Sequence, residues 1–130
     1  MSHVIWLDDC DPAVADRVGG KALGLGALRR AGLRVPPGFT VTTDAYLEYV
    51  LETGLRHAIA RSLERLETIA DQHAASERIR DLFAASNLAE TVHRTIRESY
   101  ERLAGGDALP VAVRSSATAE DTAEASFAGQ

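Results

Sequence analysis

Two cations in this sequence sit where they could hold an anion. Lys21 follows the pair Gly19-Gly20 and opens a run ending at Gly32 that reads as a helix, with Leu25 and Leu28 on one side and Arg29-Arg30 in its last turn. The glycine pair frees the backbone just before that helix, where N–H groups point outward and the dipole is positive. Arg114 follows Val111-Ala112-Val113, a short apolar run that predicts a buried strand. After Arg114 come Ser115, Ser116 and Thr118 among small residues, then Glu120, Asp121 and, as the single large apolar side chain, Phe127. Hydroxyls and backbone N–H groups on a small-residue loop, beside a cation at a strand end, make an anion cradle. The chemistry this points to is binding of nucleotide phosphates. Two blander readings stand beside it: an exposed Ser/Ala-rich tail, and an ordinary helix-start lysine.

Neither motif is a standard phosphate loop. A Walker A loop needs Gly where Ala15 stands and Ser or Thr where Ala22 stands. Gly24-x-Gly26 does not extend to a dinucleotide fingerprint, because Arg29 takes the place of the third glycine. Gly24 and Gly26 each lower helix stability by up to about 1 kcal/mol, which close approach of another backbone or a ligand would explain.

The elements that must position these residues alternate. Val4 to Leu7 predicts a strand, the Asp11-Pro12 pair a short helical turn toward Arg17, and Phe39 to Thr42 a second strand after the rigid Pro36-Pro37-Gly38 turn. Thr43 is expected to cap a helix from Asp44 to Glu52. Strand, helix, strand, helix indicates an α/β domain of mixed α+β type. The middle predicts helices: a stripe Leu55, Ile59, Leu63, Leu66 and Ala70, a short helix capped by Ser76, and a longer one from Asn87 that carries Leu88, Val92, Ile96, Tyr100 and Leu103 and stops at Gly105-Gly106.

With 130 residues the chain is expected to form one domain. A net charge of −5 argues against nucleic-acid or anionic-membrane partners, so phosphate binding must come from a few placed cations. The N-terminal apolar stretch is too short for a signal peptide or membrane span. The single cysteine, Cys10, allows no internal disulfide, which fits a reducing cytoplasm. His57, His73 and His93 fall at the edges of the helical stripes and read as surface residues. The Asp8, Asp9 and Asp11 cluster reads as a solvated turn; no metal site is expected in the chain.

Two motifs, Val18-Gly19-Gly20-Lys21 with Val35-Pro36-Pro37-Gly38-Phe39, and Ala112-Val113-Arg114-Ser115-Ser116-Ala117-Thr118-Ala119-Glu120-Asp121 with Ala125-Ser126-Phe127-Ala128-Gly129-Gln130, together resemble the nucleotide-binding region of the PEP-utilising dikinases. That family includes phosphoenolpyruvate synthase, pyruvate, phosphate dikinase and rifampicin phosphotransferase. The resemblance runs from about Val18 to the end. It implies the N-terminal part of an ATP-grasp-like domain, with residues 1–130 a partial domain that reads as truncated or as a piece of something longer. It implies ATP as ligand, with Lys21 and Arg114 as basic contacts, Gly129 as a glycine whose backbone lies against the nucleotide, and Gly20, Ser115, Ser116 and Thr118 as loop contacts. Glu120 and Asp121 are expected to hold the loop or Arg114. The family passes the β-phosphoryl of ATP through a phosphohistidine to pyruvate or another acceptor. Its magnesium ligands, that histidine, the other half of the ATP-binding domain and the acceptor domain are implied outside this chain, in cis or as a separate chain, so the segment alone is expected to be inactive. Where the family has Leu or Met and then Pro after the Glu-Asp pair, this chain has Thr122-Ala123, a departure expected to loosen the loop. A non-catalytic nucleotide-binding module, an inactive gene fragment, and a rifamycin acceptor remain as alternatives.

Overall fold

Val4, Ile5 and Trp6 are three consecutive apolar residues of β-favouring type and form β1 (Val4–Trp6), which pairs antiparallel with β2 (Phe39–Val41) in the register Val4 to Val41, Ile5 to Thr40 and Trp6 to Phe39. The ladder continues past both strands: Leu7 N–H donates to Gly38 O at 3.0 Å and Thr42 N–H to His3 O at 3.0 Å. The Trp6 and Phe39 rings meet edge to face at 5.5 Å, and the Arg102 guanidinium lies 4.8 Å from the Trp6 ring centre. This computed structural model describes residues 2–118; Glu120, Asp121, Phe127 and Gly129 lie outside the described residues.

Two 3₁₀ turns, Leu7–Asp9 and Pro12–Val14, lead from β1 into α1 (Ala15–Arg30). Asp11 caps the second turn through its carboxylate, which accepts from Ala13 N–H at 2.8 Å. Asp8 is held by Arg29, whose Nε donates to Oδ1 at 2.5 Å and Nη2 to Oδ2 at 3.0 Å. Two of the three N-terminal aspartates therefore have structural partners. Ile5, Leu7, Cys10, Val18 and Ala22 form one buried cluster between the sheet, the turns and α1.

The rest is helical: α2 (Thr43–Glu52), α3 (Leu55–Ser62), α4 (Ile69–Ala85) and α5 (Glu90–Ala104). Tyr49, Val50 and Leu55 form a second buried cluster, with Ile59, Leu82 and Phe83 against it, and Ala45, Ala89 and Val92 a third, with Ile96. The fold is mixed α and β, mostly helical, with one two-stranded sheet among the described residues. His57, His73 and His93 are exposed on these helices.

Several boundaries differ from the sequence expectation, each for a local reason. Thr42 rather than Thr43 caps α2, its hydroxyl accepting from Ala45 N–H at 3.4 Å. The stripe expected from Leu55 to Ala70 is cut after Ser62, where Arg65 adopts φ 56° and Thr68 with Asp71 makes a capping box that starts α4 afresh. Ser76, expected to be a cap, is inside α4, because that capping box begins the helix earlier. Ala89, without a side-chain cap, begins α5 in place of Asn87. Val111-Ala112-Val113 is not a strand: no described backbone pairs with it, Pro110 removes a donor, and Val113 is 92% exposed.

Gly26 is where α1 meets the 3₁₀ turn. A Cβ there would lie 2.4 Å from the Cys10 carbonyl oxygen and 2.8 Å from that of Leu7, whereas one on Gly24 would meet nothing within 4 Å. The two glycines therefore have different reasons to exist, and alanine should separate them. Gly26→Ala should destabilise by about 1–3 kcal/mol through overpacking against backbone, and Gly24→Ala should stabilise by up to about 1 kcal/mol. Urea unfolding of both variants checks this; a Gly26→Ala protein as stable as wild type would refute the close contact.

Glu48 on α2 links His3, the residue before β1, to Thr91 on α5. Thr91 Oγ1 donates to its Oε1 at 2.5 Å, and His3 Nε2 lies 2.7 Å from its Oε2. The Thr91 hydrogen bond, followed by that of His3, holds the carboxyl below its ordinary value of 4.5. A lowered carboxylate stabilises the fold above its unfolded value, and that contribution fades as pH falls through the folded one. Urea midpoints of wild type and Glu48→Gln should therefore differ at neutral pH and draw together as pH falls below 4.5. Curves that stay parallel down to pH 3 would show that the carboxylate does not carry the link.

Candidate functional site

The two sequence motifs meet at a break in α1. Gly19 has φ 74° and ψ 167°, a conformation that interrupts the helix and that essentially only glycine adopts. In an unbroken helix the Gly20 N–H would reach the Asp16 carbonyl four residues back. Here it donates to Ala117 O at 3.3 Å, and the Asp16 carbonyl accepts from the Thr43 hydroxyl at 3.3 Å. Ser116 Oγ donates in turn to Val18 O at 3.1 Å, across 98 residues of sequence.

The seat has no spare room. A Cβ on Gly19 would be 2.6 Å from Ser116 Oγ and 2.8 Å from both the carbonyl carbon and oxygen of Ala117. Ser116-Ala117 thus rests directly on the Gly19 backbone. Farther back, Tyr100 fixes the start of the same segment: its hydroxyl donates to Leu109 O at 2.9 Å and accepts from Leu109 N–H at 3.1 Å.

The predicted site residues fall around this seat as follows. Gly20 and Ser116 take part in it directly. Lys21, half-buried, is one residue beyond Gly20 at the head of the continuing helix, and Arg114, exposed, is two residues before Ser116. Ser115 and Thr118 are exposed on the docked segment, and Gly129 is outside the described residues. Sequence reasoning named the glycine pair but did not anticipate the positive φ at Gly19 that seats the loop, nor the Val18 carbonyl as an acceptor. A double glycine inside an otherwise continuous run from Ala15 to Arg30 was the available signal, since one glycine suffices to loosen a helix start and the second marks a forbidden conformation.

The docking brings the segment that carries Arg114, Ser115 and Thr118 against the helix break that precedes Lys21; lysine, arginine and hydroxyls are residue types suited to a polyphosphate. An open groove of about 560 Å³ between α3 and α4, lined by Arg61, Ser62, Arg78, Asp81, Leu82 and two alanines, takes nothing from either motif. Among the described residues no three His, Cys, Asp or Glu side chains gather to hold a metal ion, and no helix is long and apolar enough to cross a membrane.

A small antiparallel sheet, a helical middle and a hydroxyl-rich loop on a broken helix head are consistent with a nucleotide-binding domain of mixed α and β structure. The chain belongs to the family described as pyruvate phosphate dikinase, AMP/ATP-binding domain, which matches residues 15–130. It is 45% identical over 136 residues to a probable phosphoenolpyruvate synthase of Methanocaldococcus jannaschii, covering 100% of this chain and 11% of that protein. It is 44% identical over 135 residues to the phosphoenolpyruvate synthase of Aeropyrum pernix, covering 98% of this chain and 16% of that protein. The phosphoenolpyruvate synthase of Neisseria meningitidis is 37% identical over 138 residues, with 99% of this chain and 17% of that protein covered. The chain thus spans less than a fifth of the length of these three relatives.

Proposed function

We propose that this chain is the opening part of the ATP-binding domain of a phosphoenolpyruvate-synthase-like dikinase. The observation that carries the reading is the seating of Ser116-Ala117 on Val18 to Gly20, because it joins the two motifs that hold Lys21 and Arg114. The family match and the names of the relatives support it.

In this reading Lys21 and Arg114 neutralise the phosphates of ATP. Phosphoryl transfer depends on placing and neutralising charge, and two cations with surrounding donors supply that. Ser115 and Thr118 make secondary loop contacts, and the Gly129 backbone lies against the nucleotide. Residues 1–130 are then the first portion of an ATP-grasp-like domain. The whole protein moves the β-phosphoryl of ATP through a histidine outside this chain to pyruvate or a similar acceptor, a rifamycin being the alternative. The remainder of the ATP cleft, the phosphohistidine domain and the acceptor domain belong to the same protein or to a partner chain, and all work in the cytoplasm. Magnesium takes its ligands from outside the chain. The segment alone is not an active enzyme.

Lys21→Ala and Arg114→Ala each remove one charge-assisted contact, which should weaken ATP use by about 1.5–3 kcal/mol, or roughly tenfold to a hundredfold, with the fold retained. AMP formation from ATP by the protein at the length its gene encodes measures the first, and circular dichroism the second. Undiminished ATP turnover in both variants would refute the assignment.

A further inference from the structure

We propose that Ser116 and Gly19 form a latch that positions the nucleotide loop, with Ser116 acting on the loop rather than on the ligand. The proposal rests on the nucleotide reading above. A serine hydroxyl has one proton to donate, and that of Ser116 goes to the Val18 carbonyl at 3.1 Å. The Gly20 N–H, likewise a single donor, goes to Ala117 O at 3.3 Å. A phosphate oxygen cannot receive either proton while the loop is seated. The two groups that look most like phosphate ligands by type and place are therefore engaged in holding the segment that carries Arg114 against the helix that carries Lys21.

Gly19 makes the seat possible. Its φ of 74° breaks the helix at that point, and the absence of a Cβ leaves the space that Ser116 Oγ and the Ala117 carbonyl occupy at 2.6 and 2.8 Å from where a Cβ would be. Any side chain at position 19 both strains the backbone and fills the seat. If the binding-competent state is the one with the loop seated, the apparent dissociation constant for nucleotide rises as the inverse of the seated fraction. Ser116 is a positioning residue in this sense, and its influence on affinity passes through the Gly20 to Ala117 hydrogen bond.

The test uses the protein at the length its gene encodes, in wild-type form and as Ser116→Ala, Ser116→Thr and Gly19→Ala. Two quantities are measured: hydrogen exchange at the Gly20 amide without nucleotide, and the dissociation constant for ATP with magnesium. Ser116→Ala loses one neutral hydrogen bond and lowers the seating constant by about threefold to tenfold; for a loop held near half seated by its few polar contacts, Gly20 exchange should quicken by up to about twofold and ATP should bind about twofold to fivefold more weakly. Ser116→Thr keeps the hydroxyl and should restore both. Gly19→Ala should abolish Gly20 protection; should that variant fail to fold, Ser116→Ala carries the test. Weaker ATP binding in Ser116→Ala with unchanged Gly20 exchange would overturn the latch in favour of direct ligand contact, and no change in either quantity would overturn it outright. Faster Gly20 exchange in a protein whose wild type binds no ATP would instead sink the nucleotide reading and the positioning role with it, while leaving the loop contact in place.

Discussion

One backbone dihedral governs how the two ends of the described chain come together. With an L-residue at position 19 the run from Ala15 to Arg30 would continue as a single helix, its N–H and carbonyl groups satisfied internally. Glycine at φ 74° interrupts that ladder and leaves polar groups on both sides of the break in need of partners. Three come from distant parts of the chain. Thr43 satisfies the Asp16 carbonyl, Ser116 the Val18 carbonyl, and Ala117 the Gly20 amide. The break is therefore a socket with defined hydrogen-bonding demands, and residues 116–117 meet two of them.

Two neutral hydrogen bonds contribute about 0.5–1.5 kcal/mol each, and fixing one residue's backbone costs about 1–2 kcal/mol. The socket alone cannot order the whole stretch from Gly105 to Thr118. Tyr100 supplies a second fixed point by clamping both polar groups of the Leu109 backbone, so the loop is tethered at Leu109 and again at Ser116. Between the tethers Val111 and Val113 remain exposed, and their apolar surface contributes little to holding the segment. The seated state is thus held by a handful of polar contacts rather than by burial, which makes its population sensitive to any single one of them.

Much of the fold was legible from pattern. The two strands follow from Val4-Ile5-Trp6 and Phe39-Thr40-Val41, and the α5 face from Val92 and Ile96, because apolar periodicity reports burial directly. Helix ends were less legible. Thr68 has Asp71 three residues on and can form a reciprocal capping box, whereas Ser76 has Ile79 there and cannot, so α4 starts at the earlier site, just past the backbone reversal at Arg65. The strand expected at Val111 to Val113 failed for a general reason: composition shows that a segment could pair but cannot supply its neighbour. At the candidate site, Gly20 and Ser116 were visible as residue types suited to an anion. Their present partners were not, because a hydrogen bond spanning 98 residues leaves no local trace. Gly26 was legible as a glycine out of place in a helix, but whether a backbone or a ligand lay against it needed the Cys10 carbonyl in view.

The arrangement also bears on why this glycine-lysine motif departs from a Walker loop. A Walker loop presents successive backbone N–H groups of one continuous segment to the phosphates, so the cradle exists once that segment folds. Here the first amide after the break is taken by another part of the same protein. In the proposed nucleotide reading, charge neutralisation then rests on side chains contributed by two segments, and their approach depends on a contact that itself has to form. A site built this way carries its own equilibrium: the seated fraction multiplies the affinity, and whatever loosens Ser116 or fills the space at Gly19 lowers that fraction without touching a ligand-binding group. In that reading the residues that fix the geometry and those that carry the charge are different residues, and substitutions of the two kinds separate in the Gly20 amide, which reports the loop but not the cations.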